Sequence, residues 1–128
     1  MIYYLTLGTN DLPRATAFYD PVMACLDLSR ILTADSDIGY GLPGDASPSL
    51  YVLTPFDGAP ASQGNGTMVA LTAPTRAAVA AFHSAALAHG GTDEGAPGLR
   101  YSPNFYSCYV RDPDGNKLSA VCTLPPQE

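Results

Sequence analysis

The sequence contains no tryptophan, two histidines, and six basic residues against twelve acidic ones. Each scarcity excludes something. With a net charge of −6 there is no basic stripe to neutralise phosphates, so nucleic acid is not an expected partner. The acidity favours solubility and neutral or cationic ligands. Three cysteines, Cys25, Cys108 and Cys122, form no CxxC pair and leave one over. Buried thiols in a reducing cytoplasm are the expectation, since free cysteine packs as a small apolar residue. Their surroundings also lack the basic groups that activate a catalytic thiol. No run of about 18 apolar residues occurs, and Met-Ile-Tyr-Tyr-Leu-Thr-Leu has no charged region before it. Neither a membrane span nor a signal peptide is expected. His83 and His89 fall on one predicted helix at a spacing that does not share a face, so a Ser–His–Asp arrangement is absent.

What is present is one domain's worth of chain, residues 1–128, with 46% hydrophobic and 14% charged residues. Residues 2–8 alternate as a strand, with Tyr3, Leu5 and Leu7 on one face and Tyr4, Thr6 and Gly8 on the other. Asp11 and Pro13 signal a helix start, and the helix runs towards Leu26, bent or interrupted by Pro21 near Asp20. Residues 28–32, 38–42 and 50–54 read as short strands. A Pro-, Gly- and Ser-rich linker, 55–66, separates this half from the next. The order then repeats: a strand at 67–72, then a helix at 75–89 with Val79, Phe82 and Ala86 on one stripe and Gly90-Gly91 at its end. A weak strand near 92–94 and a closing hairpin complete the second half, about 67–124.

That hairpin is the clearest local signal. Asp112-Pro-Asp-Gly-Asn116 is a turn, with Pro113 presetting an early turn position and Gly115 accepting positive φ. Centring it near Pro113-Asp114 sets Val110 opposite Leu118 and Cys108 opposite Ala120. Cys108, Val110, Leu118, Ala120 and Cys122 then share a packing face. Ser107, Tyr109, Arg111, Ser119 and Val121 share the more polar one.

The pattern is strand, helix, three strands, written twice. Neither half can bury its own sheet well, so the predicted fold is α+β: two βαβββ modules in an open, barrel-like mixed sheet around a cleft, helices outside. The runs Leu-Gly-Thr-Asn-Asp-Leu-Pro-Arg-Ala-Thr-Ala-Phe-Tyr, Ala-Pro-Thr-Arg-Ala-Ala-Val-Ala-Ala-Phe-His and Tyr-Val-Arg-Asp-Pro-Asp-Gly-Asn resemble the vicinal-oxygen-chelate superfamily of glyoxalases, bleomycin-resistance proteins and extradiol dioxygenases. The resemblance covers nearly the whole chain. It implies paired βαβββ modules, frequently a homodimer, and in metal-dependent members a divalent ion held by two histidines and a glutamate. Those positions fall here on Tyr4, Met68 and Ser119, and none matches. A thioether and a neutral hydroxyl are poor ligands for Zn, Ni, Mn or Fe. No metal and no other cofactor is therefore expected, and ring-cleaving dioxygenase or metal-dependent glyoxalase chemistry loses its basis.

The face opposite the helices then defines the candidate site. Tyr4, Thr6, Met68, Thr72, Ser107, Tyr109 and Ser119 lie on it, with Tyr101 on a loop at its mouth beside Arg100 and Asn104. Tyrosine combines area with one polar handle, which suits an aromatic or cationic small molecule. The expectation is a metal-free binding protein. The alternative is a lyase or isomerase of the same superfamily that uses a non-standard metal, or acid/base chemistry from Tyr4 and Tyr109 with Arg111 nearby. A dimeric partner-binding unit is a third reading.

Overall fold

The computed structural model describes residues 1–126; the last two residues of the expected domain lie outside that range. Its elements are β1 (Leu5–Gly8), α1 (Leu12–Ala24), β2 (Ser29–Thr33), β3 (Asp37–Gly41), β4 (Leu50–Leu53), β5 (Met68–Thr72), α2 (Arg76–Ala88), β6 (Thr92–Leu99), β7 (Tyr106–Arg111) and β8 (Lys117–Cys122). The expected βαβββ repeat is present twice. One sheet has the order β1-β4-β3-β2 and the other β5-β8-β7-β6, each with one parallel and two antiparallel pairings. The sheets are not hydrogen-bonded to each other, so the barrel-like arrangement stays open.

Each helix is set by its ends. Asp11 accepts from the Arg14 N–H and Thr75 from the Ala78 N–H, satisfying donors that the first turn leaves free. α2 stops where Gly90 takes φ of 99° and the Gly91 N–H bonds the Ala86 carbonyl. That left-handed closure favours glycine. Of the two expected effects of Pro21, a bend or an interruption, the interruption does not occur. The helix passes through it to Ala24, because Phe18, Tyr19, Val22 and Met23 on either side are all fully buried against the sheet. Removing one helix hydrogen bond a turn from the end costs less than uncovering that stripe.

The strands follow the predicted alternation where a neighbour exists. Leu7, Ile38, Tyr40, Leu50 and Val52 face α1, while Val69, Cys108, Val110, Leu118, Ala120 and Cys122 lie on the side of Val79, Phe82 and Ala86. The hairpin register is the expected one, with Val110 opposite Leu118 and Cys108 opposite Ala120. All three cysteines are free; Cys108 and Cys122 are buried and Cys25 partly so. Burial pushes the Cys25 and Cys108 thiols up, away from reactivity.

Two boundaries differ. β1 begins at Leu5 rather than Ile2, because β4 offers partners only from Leu50 to Leu53, and Leu5 itself stays 37% exposed. β6 runs the full eight residues from Thr92 to Leu99, broken by two irregularities. As an edge strand it tolerates Pro97, which a central strand would not.

Among regular elements, only α1 and α2 touch across the two halves. The remaining joint is the Asp112–Asn116 turn, which does more than reverse the chain. Asp112 is buried and accepts from the Tyr19 hydroxyl at 2.5 Å, from the Asp114 and Asn116 N–H groups at 2.9 Å each, and from Asn116 Nδ2 at 2.9 Å. Asp114 accepts from Thr9 Oγ1 at 2.6 Å, the Asn10 N–H at 2.9 Å and Arg14 Nη2 at 2.8 Å. Asn116 Nδ2 also donates to the Gly8 carbonyl at 2.9 Å. Gly115 takes φ of 91°, which lets these groups converge. The linker joins in, since Asn10 and Ala61 exchange two hydrogen bonds.

Asp112→Ala leaves four donors without their acceptor and should lower unfolding free energy by roughly 3 kcal/mol or more in urea titration; Tyr19→Phe should cost about 1–3 kcal/mol. Little change in either variant would mean the turn is not the joint described.

Tyr19 and Tyr40 are both buried, and their hydroxyls donate to Asp112 and to Asp20. Burial and then the adjacent carboxylates raise both phenols. A folded-state value above the unfolded one gives stability that is complete below pH about 10 and lost as pH rises beyond it. Unfolding should therefore set in steeply above pH about 10, and Tyr19→Phe should flatten that slope, as read by near-ultraviolet absorbance and circular dichroism.

Candidate functional site

The sheet faces opposite the helices carry the candidate residues, and one chain divides them into two groups. On the first sheet Tyr4 and Thr6 project beside Tyr51, which pairs with Thr6 across the parallel ladder. The Tyr4 and Tyr51 rings meet edge to face with centroids 5.2 Å apart. Together with Asp37 and Leu53 they line a shallow, open depression. Tyr4 is 52% exposed. Tyr51 and Asp37 were not singled out from sequence, because only the pairing of β1 with β4 and β4 with β3 brings them there.

On the second sheet Ser119 is central. It sits in β8 with Ala70 of β5 on one side and Tyr109 of β7 on the other. Ser119 and Ser107 are fully buried, while Met68 is 41% exposed and Thr72 is exposed on the edge strand. Ser107 donates a long 3.4 Å hydrogen bond to the Tyr109 hydroxyl. Among the described residues, Ser119 Oγ has no hydrogen-bond partner at all. Such a group costs about 1–3 kcal/mol.

The cation beside Tyr109 is not the one expected. Arg111 is engaged by the Glu94 carboxylate and by the Gly115 carbonyl at 2.7 Å. Instead the Arg100 guanidinium carbon lies 5.1 Å from the Tyr109 ring centroid, and Lys117 Nζ lies 5.6 Å from it. Arg100 is anchored by the Ala96, Gly98 and Ser107 carbonyls, spanning the irregular part of β6. Lys117 was legible in principle: it stands two residues before Ser119, diagonal to Tyr109 in the hairpin register.

The peripheral candidates fare differently. Tyr101 is 88% exposed with φ of 64°, and its ring meets Phe105 rather than the sheet. Asn104 is also exposed. Tyr3, expected on the strand face of Leu5 and Leu7, is exposed, and its hydroxyl lies 3.2 Å from Ser47 Oγ. His83 Nε2 lies 2.9 Å from Asp93, whose carboxyl it holds below the usual range. It is far from either candidate face, on α2. His89 caps the end of α2.

Two βαβββ modules, each with one sheet face bare of helices, define the architecture of the site. The family model of the Glyoxalase/Bleomycin resistance protein/Dioxygenase superfamily matches residues 2–119, and the chain belongs to that superfamily. It is similar to a glyoxalase/bleomycin resistance protein from Albidiferax ferrireducens, with 34% identity over 93% of this chain and 95% of that one, at a TM-score of 0.84. The fold alone is shared with a lactoylglutathione lyase from Agrobacterium tumefaciens, at 22% identity, 94% and 92% coverage and a TM-score of 0.64. The same holds for a fosfomycin resistance protein from Listeria monocytogenes solved with Mn(II), at 14% identity, 97% and 90% coverage and a TM-score of 0.68. Among curated proteins, none matches.

The superfamily implies a divalent metal in some members, and the donors here do not fit one. Tyr4, Met68 and Ser119 offer a phenol, a thioether and a buried neutral hydroxyl, on two separate sheets. Among the described residues there is no group of three or more His, Cys, Asp or Glu side chains that could hold an ion. The Lys117 ammonium and the Arg100 guanidinium, both on the ring of Tyr109 that pairs with Ser119, would further repel a cation.

Ser119→Ala removes an unpartnered hydroxyl from a dry place. It should leave stability unchanged or raise it by about 1 kcal/mol in denaturant titration. A loss of more than about 1 kcal/mol would show that the hydroxyl has a partner that the geometry does not reveal.

Proposed function

We propose that this superfamily member binds a small aromatic molecule without a divalent metal. The observation that carries the reading is the replacement of the chelating positions by Tyr4, Met68 and Ser119, while aromatic surface stays on both sheet faces: Tyr4 with Tyr51, and Tyr109. Tyrosine rings with few neighbouring polar groups recognise planar ligands by area and orient them by their hydroxyls. Asp37 beside Tyr4 and Tyr51 adds a place for a cationic substituent.

A second copy of the chain belongs to this proposal. Met1 to Leu5 are exposed and mostly apolar, and β1 and β5 are edge strands with open faces beside them. Laying a partner's sheet over these faces would turn two shallow surfaces into enclosed ones, and would cover apolar side chains that a monomer leaves in water.

Elemental analysis of protein purified without chelators should give far less than one transition metal per chain. A thermal-shift panel of neutral, cationic and anionic aromatics should then yield stabilising compounds, and Tyr4→Ala or Tyr109→Ala should weaken at least tenfold the binding of those seated on that ring. Stoichiometric Zn, Ni, Mn or Fe, or a panel without a single hit, would overturn the reading. Sedimentation should report twice the chain mass; a strict monomer would remove the partner-completed site.

A further inference from the structure

The chain has six basic side chains, and three of them are matched to carboxylates: Arg14 to Asp114, Arg30 to Asp20 and Arg111 to Glu94. Of the other three, two converge on one ring, Tyr109. Lys117 is the only lysine, and among the described residues it makes no ion pair and no hydrogen bond. Arg100 is hydrogen-bonded only to carbonyls and makes no salt bridge among the described residues; the Asp93 carboxylate feels its charge but is bonded to His83. Beside Tyr109 in the ladder lies the buried, unpartnered hydroxyl of Ser119. In a protein of net charge −6, with twice as many acids as bases, two unneutralised cations on one aromatic side chain are a local inversion of sign. A cation–ring contact at a part-exposed site does not require two cations, nor a silent hydroxyl next to them.

We propose that the β7–β8 face takes the anionic group of a planar ligand, a carboxylate or a phosphate. Lys117 and Arg100 supply the charge, Tyr109 the stacking surface, and Ser119 Oγ a hydrogen bond once the Lys117 chain swings to the anion. This rests on the small-molecule reading above and adds the sign of the ligand at this face, where composition alone pointed to cationic ligands.

The probes are benzoate, phenyl phosphate, benzamide and benzylammonium, titrated by calorimetry at low and high salt, with amide chemical-shift mapping. Benzoate or phenyl phosphate should bind at Tyr109, weaken with salt, and exceed benzamide by at least tenfold there. Which of the two binds tighter identifies the anion. Lys117→Met should lose at least tenfold, Lys117→Arg should retain most of the affinity, and Ser119→Ala should lose a few-fold while remaining fully folded. Benzylammonium or benzamide binding at Tyr4 and Tyr51, with no anion bound at Tyr109, overturns this inference and leaves the aromatic-binding reading intact. Anion binding that is indifferent to Lys117→Met also overturns it. Failure of every probe overturns both.

Discussion

The Asp112 carboxylate holds this molecule together as one body. Two βαβββ modules that share no strand ladder meet through α1 against α2 and through a turn whose buried acid collects four donors. Three of those donors belong to the turn itself, so the carboxylate first shapes the turn. The fourth, from Tyr19, ties that shape to the core of the other module. Asp114 and Asn116 then extend the tie to Thr9, Asn10, Arg14 and Gly8 at the mouth of α1. A charged acceptor in a dry place is costly to leave unmet, so the geometry around it is tightly specified.

With the modules joined only at that edge, their sheet faces are left open, and this decides what the site can be. The shared βαβββ order produces two unlike surfaces. One presents Tyr4, Tyr51 and Asp37; the other presents Tyr109 under Arg100 and Lys117 with Ser119 beside it. The two faces differ in sign, which is unexpected for halves of a repeat and follows from which side chains fill the same pattern. Membership of the superfamily supplies the scaffold, and among the described residues no group of three or more His, Cys, Asp or Glu side chains could hold an ion on it.

Much of this was legible in the residues. The repeat, the cap of the first helix, the glycine end of the second and the hairpin register all rest on local chemistry: alternation, Asp11 as a cap, Gly90 and Gly115 at positive φ. The misreadings share a cause. Pro21 would interrupt the helix, the stronger of its two expected effects, only if the burial of Phe18, Tyr19, Val22 and Met23 were ignored. Ile2 to Tyr4 look like strand but find no partner, because β4 is short. Arg111 was the near cation in sequence, yet Glu94 across the bulged edge of β6 claims it.

By itself, then, the sequence determined the elements, their order, the faces of each strand and the mismatch with a chelating triad, since these depend on neighbours within a few positions. Tertiary structure decided which faces meet, that the Asp112–Asn116 turn is the joint between modules, that Tyr4 stands with Tyr51, and that Lys117 and Arg100 rather than Arg111 flank Tyr109. Those outcomes depend on groups as far apart as Thr9 and Asp114, or Tyr19 and Asp112, and periodicity carries no information about such pairs.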